Sequence, residues 1–291
     1  MDEQETFILR YFPEKANAII LFIYFGLSEY SFDYQGGSLV RSICSRLEKS
    51  SILWSHLQEV CGVAHLKERE ELNQQGYSGV VYSKLATAVF EAILGQYYGI
   101  YSNFALVMQK IYTNDNLSTK SWSKLKNGAI GGKYHTIPTE VIKIFESNTI
   151  YDELRKIRTE SAHFSTGDLN LFLKPYSYTN PQIGPIKRTP PSNVILIENI
   201  EVFYNQLRLE TDVFLNRFFQ YLLDNIEGQK QIHQFCGFYH KYLYERYESY
   251  SEFRSGNRGC CKPIWEVPNA TVPPCPLAEA CKAYQNYLND Q

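Results

Sequence analysis

Two side chains five positions apart, Arg158 and His163, carry the chemistry most worth testing in this sequence. They lie in Tyr151-Asp-Glu-Leu-Arg-Lys-Ile-Arg158-Thr159-Glu160-Ser161-Ala162-His163-Phe164, with Ile157 and Phe164 as apolar flanks. A guanidinium holds a phosphate through a fixed fork of donors. An imidazole moves a proton near neutral pH. Together these are the abilities needed to break a phosphodiester without a metal ion. On an ideal helix, five positions is about 140° of rotation, so the two side chains do not stack on one face. Thr159 and His163 do share a face, as do Glu160 and His163.

The elements that must position this pair are helical in pattern. Residues 79–112 carry Val80, Leu85, Val89, Phe90, Ile93, Leu94, Tyr97, Tyr98, Ile100, Phe104, Val107 and Ile111 at three- and four-residue spacing. That wide apolar arc predicts a central helix of a bundle. Glu91 is its lone carboxylate, either a solvated edge position or a partner for an arginine. Thr139 with Glu140 starts a short helix through Phe145. The motif helix follows from about Tyr151. Residues 167–192 read as a polar insertion rich in Pro and Tyr, without periodicity. Val194–Ile197 reads as a short strand or as the lead into a long helix over 198–226. Residues 7–78 read as several short helices. Three segments result: an N-terminal helical extension (1–78), a helical bundle (79–226) and a Cys- and Pro-rich C-terminal region (227–291). The predicted class is all-α.

Between the central helix and Pro138, Lys120, Lys124, Lys126 and Lys133 interleave with Trp122, Tyr134 and His135. Cations beside rings suit single-stranded RNA, because charges follow the backbone and rings stack on bases. From this stretch Lys120, Trp122, Lys124, Lys126, Lys133 and His135 are the candidate RNA contacts. The alternative is a solvated lysine-rich loop. A net charge of -2, from 29 Lys+Arg against 31 Asp+Glu, excludes a chain basic throughout, so any RNA surface is a local patch.

Arg158-Thr-Glu-Ser-Ala-His163 resembles the Arg-x(4–6)-His signature of the HEPN superfamily of all-helical domains, many of them ribonuclease toxins or defence effectors. The resemblance covers roughly residues 80 to 226. The element order agrees: long helix, basic connector, short helix, motif helix, insertion, long helix. The family most often has Asn directly after the arginine, where this chain has Thr159. The resemblance implies metal-independent cleavage of RNA to 2′,3′-cyclic phosphate and 5′-hydroxyl ends. In that scheme His163 serves as general base or acid, Arg158 stabilises the phosphorane-like charge, and Thr159, Glu160 or Ser161 orients the imidazole. It further implies a composite site built by a homodimer, and an antitoxin or defence-system partner. A non-catalytic module that binds RNA or protein is the alternative.

The last quarter changes character. Of the 7 cysteines, Cys236, Cys260, Cys261, Cys275 and Cys281 fall here. His233-x2-Cys236-x3-His240 is expected on an aromatic, basic helix ending near Arg254. The acidic start Met1-Asp-Glu-Gln-Glu and the short apolar run Ala16–Leu27 predict a cytoplasmic chain with no membrane span. Thiolates gathered in a reducing compartment point to a structural zinc or iron–sulfur cluster. The alternative is a Pro-braced tail whose cysteines pack as small hydrophobes. That metallo-protein reading is a third function class. No cofactor is expected in catalysis.

Overall fold

A computed structural model describes residues 8–9, 17–76, 81–112, 121–163, 168–171, 174–181, 193–239, 242–256, 260–263, 281, 283 and 285–286. It is mostly helical. The chain divides into two compact units, one made of Gln35–Phe218 and the other of Met1–Tyr34 with Phe219–Gln291.

The larger unit begins with α3 (Tyr34–Gln75), after the short helical pieces α1 (Ala18–Leu21) and α2 (Leu27–Glu29) of the smaller unit. The expectation of several short helices here is corrected: α3 is one helix of 42 residues. Gly36 and Gly37, which look like breaks in the sequence, are buried within it. Ser50 and Ser51 both donate to the Leu47 carbonyl, at 2.7 and 3.2 Å, so their hydroxyls are satisfied inside the helix. Val40, Ile43, Leu57, Cys61 and Ala64 form its buried face. Near its end, the buried Glu68 accepts from the Ser83 N–H at 2.9 Å and the Ser83 hydroxyl at 2.8 Å. Those donors sit in the first turn of α4 (Val81–Ile111), where backbone N–H groups lack helical partners.

As its periodicity predicts, α4 is central: Phe90, Ile93, Tyr97, Ile100, Tyr101, Phe104 and Met108 are all fully buried. Around it come α5 (Trp122–Ile130), α6 (Thr139–Glu146), α7 (Ile150–His163) and α8 (Ile200–Asp224). The indole of Trp122 joins them. Its ring centroid lies 5.1 Å from Phe104 of α4, 4.8 Å from Phe145 of α6, 6.4 Å from Tyr151 of α7 and 5.3 Å from Phe214 of α8. Most of these pairs are edge-to-face or tilted, the arrangement that ring quadrupoles favour.

Between α7 and α8 the insertion is not irregular throughout, as expected, but holds an antiparallel sheet. Its order is β2 (Asp168–Asn170), β3 (Ser177–Pro181), β4 (Asn193–Ile197). Tyr178 of β3 is fully buried and tilts against Phe90 at 5.4 Å.

In the smaller unit, β1 (Ile8–Leu9), β5 (Ile232–Tyr239), β6 (Tyr242–Glu248) and β7 (Cys260–Pro263) form an antiparallel sheet in the order β1-β5-β6-β7. This corrects the helix expected around His233 and Cys236, while the described residues as a whole stay mostly helical, in line with the expected class. A bulge between Phe235 and Gly237 interrupts the β5–β6 register at Cys236. After the hairpin, α9 (Tyr250–Ser255) opens on a capping box between Ser249 and Glu252 and closes on Gly256 at φ 75°. Phe25 packs on Tyr250 and Phe253 at 5.3 and 5.4 Å. Phe25 comes from a π-helical stretch, Phe22–Gly26, in which a Cβ on Gly26 would stand 2.1 Å from the Phe22 ring. Among the described residues, no helix is long and apolar enough to cross a membrane.

Because Trp122 touches four other helices, Trp122→Ala should cost roughly 3–5 kcal/mol. Urea unfolding would read this as a lower midpoint at unchanged slope. An unshifted midpoint would show that the helices hold together without the indole.

Candidate functional site

The start of the motif helix is held from three sides. From α8, the Glu210 carboxylate accepts from the Ile150 N–H at 3.2 Å and the Thr149 hydroxyl at 3.4 Å. An anion at a helix N-terminus pairs orphan N–H groups and favours the macrodipole. From α5, Lys126 reaches under the same turn. Its Nζ donates to the Asn148 carbonyl at 2.5 Å and to Asp152 Oδ2 at 3.0 Å. From α4, the Tyr101 hydroxyl accepts from Asn148 Nδ2 at 2.9 Å and lies 3.2 Å from Thr211 Oγ1 of α8. Desolvation by burial pushes the Tyr101 hydroxyl up to about 12, while its bonds to Thr211 and Asn148 pull the other way. Burial also raises Tyr151, and its neighbour Tyr98 adds to the shift.

Along α7, Leu154 and Ile157 are buried, and Arg155 Nη1 donates to the Ser123 hydroxyl at 2.9 Å. Arg158 is exposed, and its guanidinium carbon lies 3.8 Å from the centroid of the Tyr98 ring. Tyr98 in turn is stacked near Tyr151 at 6.2 Å. A guanidinium flat on an aromatic face keeps its in-plane N–H groups pointing outward, so the ring orients the donors without consuming them. Among the described residues, no carboxylate forms an ion pair with Arg158. The sequence singles out Arg158 but gives no sign of the Tyr98 ring beneath it, because that contact joins residues sixty positions apart.

α7 runs without interruption from Ile150 to His163. Local distortion therefore does not bring Arg158 and His163 onto one face. Thr159, Glu160 and His163 share the backbone of this helix, and their side chains lie outside the described residues.

Two of the expected RNA contacts are corrected. Trp122 is 1% exposed at the centre of the aromatic cluster and has no face left for a base. Lys126 is 6% exposed, with its charge turned inward onto Asp152. Helical periodicity explains both. The basic stretch folds as α5, and its positions 122 and 126 fall on the buried face while Lys124 falls on the exposed one. Lys133 and His135 are exposed beyond the helix, and Lys133 Nζ is 5.6 Å from the Tyr134 ring centroid. Lys120 lies outside the described residues. Glu91 accepts from the Tyr178 hydroxyl at 2.7 Å, a tyrosine partner where an arginine was one expectation.

Of the five cysteines expected to hold metal, Cys236 lies in β5 and Cys260 and Cys261 lie in β7, strands that flank β6 on either side. Cys281 is half-buried with a free thiol, and Cys275 lies outside the described residues. Among the described residues, no group of three or more metal-ligating side chains converges.

Compared with protein-family models, with curated proteins and with solved structures, the chain shows no match. The functional reading therefore rests on the residues and their geometry.

The buried tyrosine network makes a pH prediction. Tyr101 stays neutral in the folded chain up to about 12, whereas in the unfolded chain it ionises near 10.0. Its folded-state value is raised, so its contribution is complete below the unfolded value and is lost as pH rises from there towards the folded one. The urea midpoint should fall steadily across that window, and fall less in Tyr101→Phe. A flat midpoint across the window would contradict the burial of a neutral hydroxyl at this position.

Proposed function

We propose that this chain is a HEPN-like, metal-independent ribonuclease acting on single-stranded RNA, with Arg158 and His163 in its site. The observation that carries the reading is the guanidinium of Arg158, exposed, without a carboxylate partner among the described residues, and laid 3.8 Å over the Tyr98 ring. A cation held in this way is preorganised for a phosphate, and no reorganisation of the side chain is needed when charge develops. The helical setting of the motif supports the same reading.

The chemistry balances without a metal. The ribose 2′-hydroxyl gives its proton to the His163 imidazole and forms a bond to the adjacent phosphorus. The bond from phosphorus to the 5′-oxygen breaks, and that oxygen takes a proton from an imidazolium. The products are a 2′,3′-cyclic phosphate and a 5′-hydroxyl. Arg158 neutralises charge on the non-bridging oxygens as the phosphorane-like state forms. Because α7 is continuous, one copy holds Arg158 and His163 about 140° apart. A homodimer that sets the arginine of one copy against the histidine of another meets this constraint. An antitoxin or a defence-system protein is the partner class that the family resemblance suggests. A binding module without catalysis is the second reading, favoured by Thr159 where the family most often carries Asn.

Labelled single-stranded RNA, incubated in EDTA, separates these readings. Wild type should cut, and Arg158→Ala and His163→Ala should each lose roughly 10²-fold or more. DNA of the same sequence should stay intact, having no 2′-hydroxyl. Tyr98→Leu should lose a few-fold, since an exposed cation–π contact contributes about 0.5–1 kcal/mol, while Tyr98→Phe keeps the ring and the rate. RNA bound but uncut by all the proteins would leave the binding module. Cleavage equal in wild type and both alanine variants would end the catalytic reading.

A further inference from the structure

A second arginine lies against α4, one residue beyond Tyr98. Arg46 of α3 places its guanidinium against Gly99, the residue after Tyr98 on α4. A Cβ on Gly99 would stand 2.5 Å from Arg46 Nη1, 2.7 Å from Cζ and 3.0 Å from Nε, so only glycine lets the flat group lie there. Arg46 Nη1 donates to Gln96 Oε1 at 3.1 Å, and Nε is buried with no hydrogen-bond partner. Among the described residues, no carboxylate forms an ion pair with Arg46. A half-buried cation held at that cost, without an acid among the described residues to offset it, is unusual for a purely structural arginine.

The helical arrangement sets the two arginines on opposite sides of one strip. At 100° per residue, Gly95, Gly99 and Ser102 fall within about 60° of each other on α4. Tyr98, carrying Arg158 of α7, borders this strip on one side. Gln96 and Asn103 border it on the other, where they meet Arg46 and Ser42 of α3. The strip itself is low: Gly95 has open space where a Cβ would be, and Ser102 turns its hydroxyl back onto the Tyr98 carbonyl at 3.0 Å. Gly95 and Ser102, beside two guanidinium groups that pair with no carboxylate among the described residues, leave room for a chain carrying negative charge at regular intervals.

We infer that Arg46 is a second phosphate-holding residue, so that the phosphodiester backbone of single-stranded RNA crosses α4 between Arg46 and Arg158. This deepens the RNA reading above and rests on it. Arg46 contacts the substrate away from the reacting bond. It therefore contributes to affinity and to the salt dependence of binding, and Gly99 sets where its fork lies.

The test is fluorescence anisotropy of a short labelled 2′-O-methyl RNA, which cannot be cleaved, titrated with the full chain over a salt series. Losing one charge-assisted phosphate contact should weaken binding roughly tenfold or more in Arg46→Gln. The slope of log affinity against log salt should also fall by about 0.7. Arg46→Lys keeps the charge without the fork and should fall between the two. Gly99→Ala removes no charge but displaces the guanidinium, and should weaken binding in the same direction. If Arg46→Gln melts below the assay temperature, a folded Gly99→Ala carries the test, and wild-type affinity in it overturns the inference. Weakened binding in Arg158→Gln with wild-type binding in both Arg46→Gln and Gly99→Ala overturns this inference alone. No binding by the wild type overturns it together with the RNA reading.

Discussion

The larger unit depends on aromatic rings meeting at one point. Trp122 is the only residue of α5 with rings from α4, α6, α7 and α8 all around it. Such a cluster does more than bury area. Rings that meet edge to face accept few alternative arrangements, so the helices carrying them keep their relative rotation. Rotation is what matters for α7: turning it by one residue would take Arg158 off the Tyr98 ring. The polar groups around Asn148 act on the same helix in a complementary way. Glu210, Lys126 and Tyr101 fix where α7 begins, and the rings fix which way it faces.

Most of the helical framework is visible in the sequence. The pattern over 79–112 matches α4 closely, the expected short helix starts at Thr139 as α6 does, and the long helix expected over 198–226 is α8. Each of these is amphipathic or buried over its whole length, so local pattern and tertiary environment agree. α3 is the opposite case. Gly36, Gly37, Ser50 and Ser51 lower helix propensity, and a single sequence suggests breaks there. Burial of the glycines favours the continuous helix, and the serine hydroxyls are satisfied within it by the Leu47 carbonyl. The β5–β6 hairpin fails for another reason. Phe235 and Phe238 fall three residues apart and so mimic a helical face, although the density of Phe and Tyr there favours strands. The bulge at Cys236 is what breaks the two-residue alternation.

The candidate site divides along similar lines. Arg158 is identifiable from residue type and spacing alone. Its support on Tyr98, and the placing of Arg46 on Gly99, come from contacts between separate helices and leave no local trace. The basic stretch shows the reverse error. Lys126 and Trp122 look like ligand contacts by composition, yet the turn of α5 puts them inside. There Lys126 organises the polypeptide instead, its ammonium joining the Asn148 carbonyl to the Asp152 carboxylate.

The pairing of β1 with β5 has a consequence for biosynthesis. Ile8 meets Phe238 and Leu9 meets Gly237, so β1 waits for a partner made long after it along the chain. A ribosome adds roughly 5–20 residues per second. Gln35–Phe218 is complete and free to form its core before β5 leaves the exit tunnel. Throughout that interval β1 carries backbone donors and acceptors that β5 has yet to meet, and the pair closes only once β5 has been made.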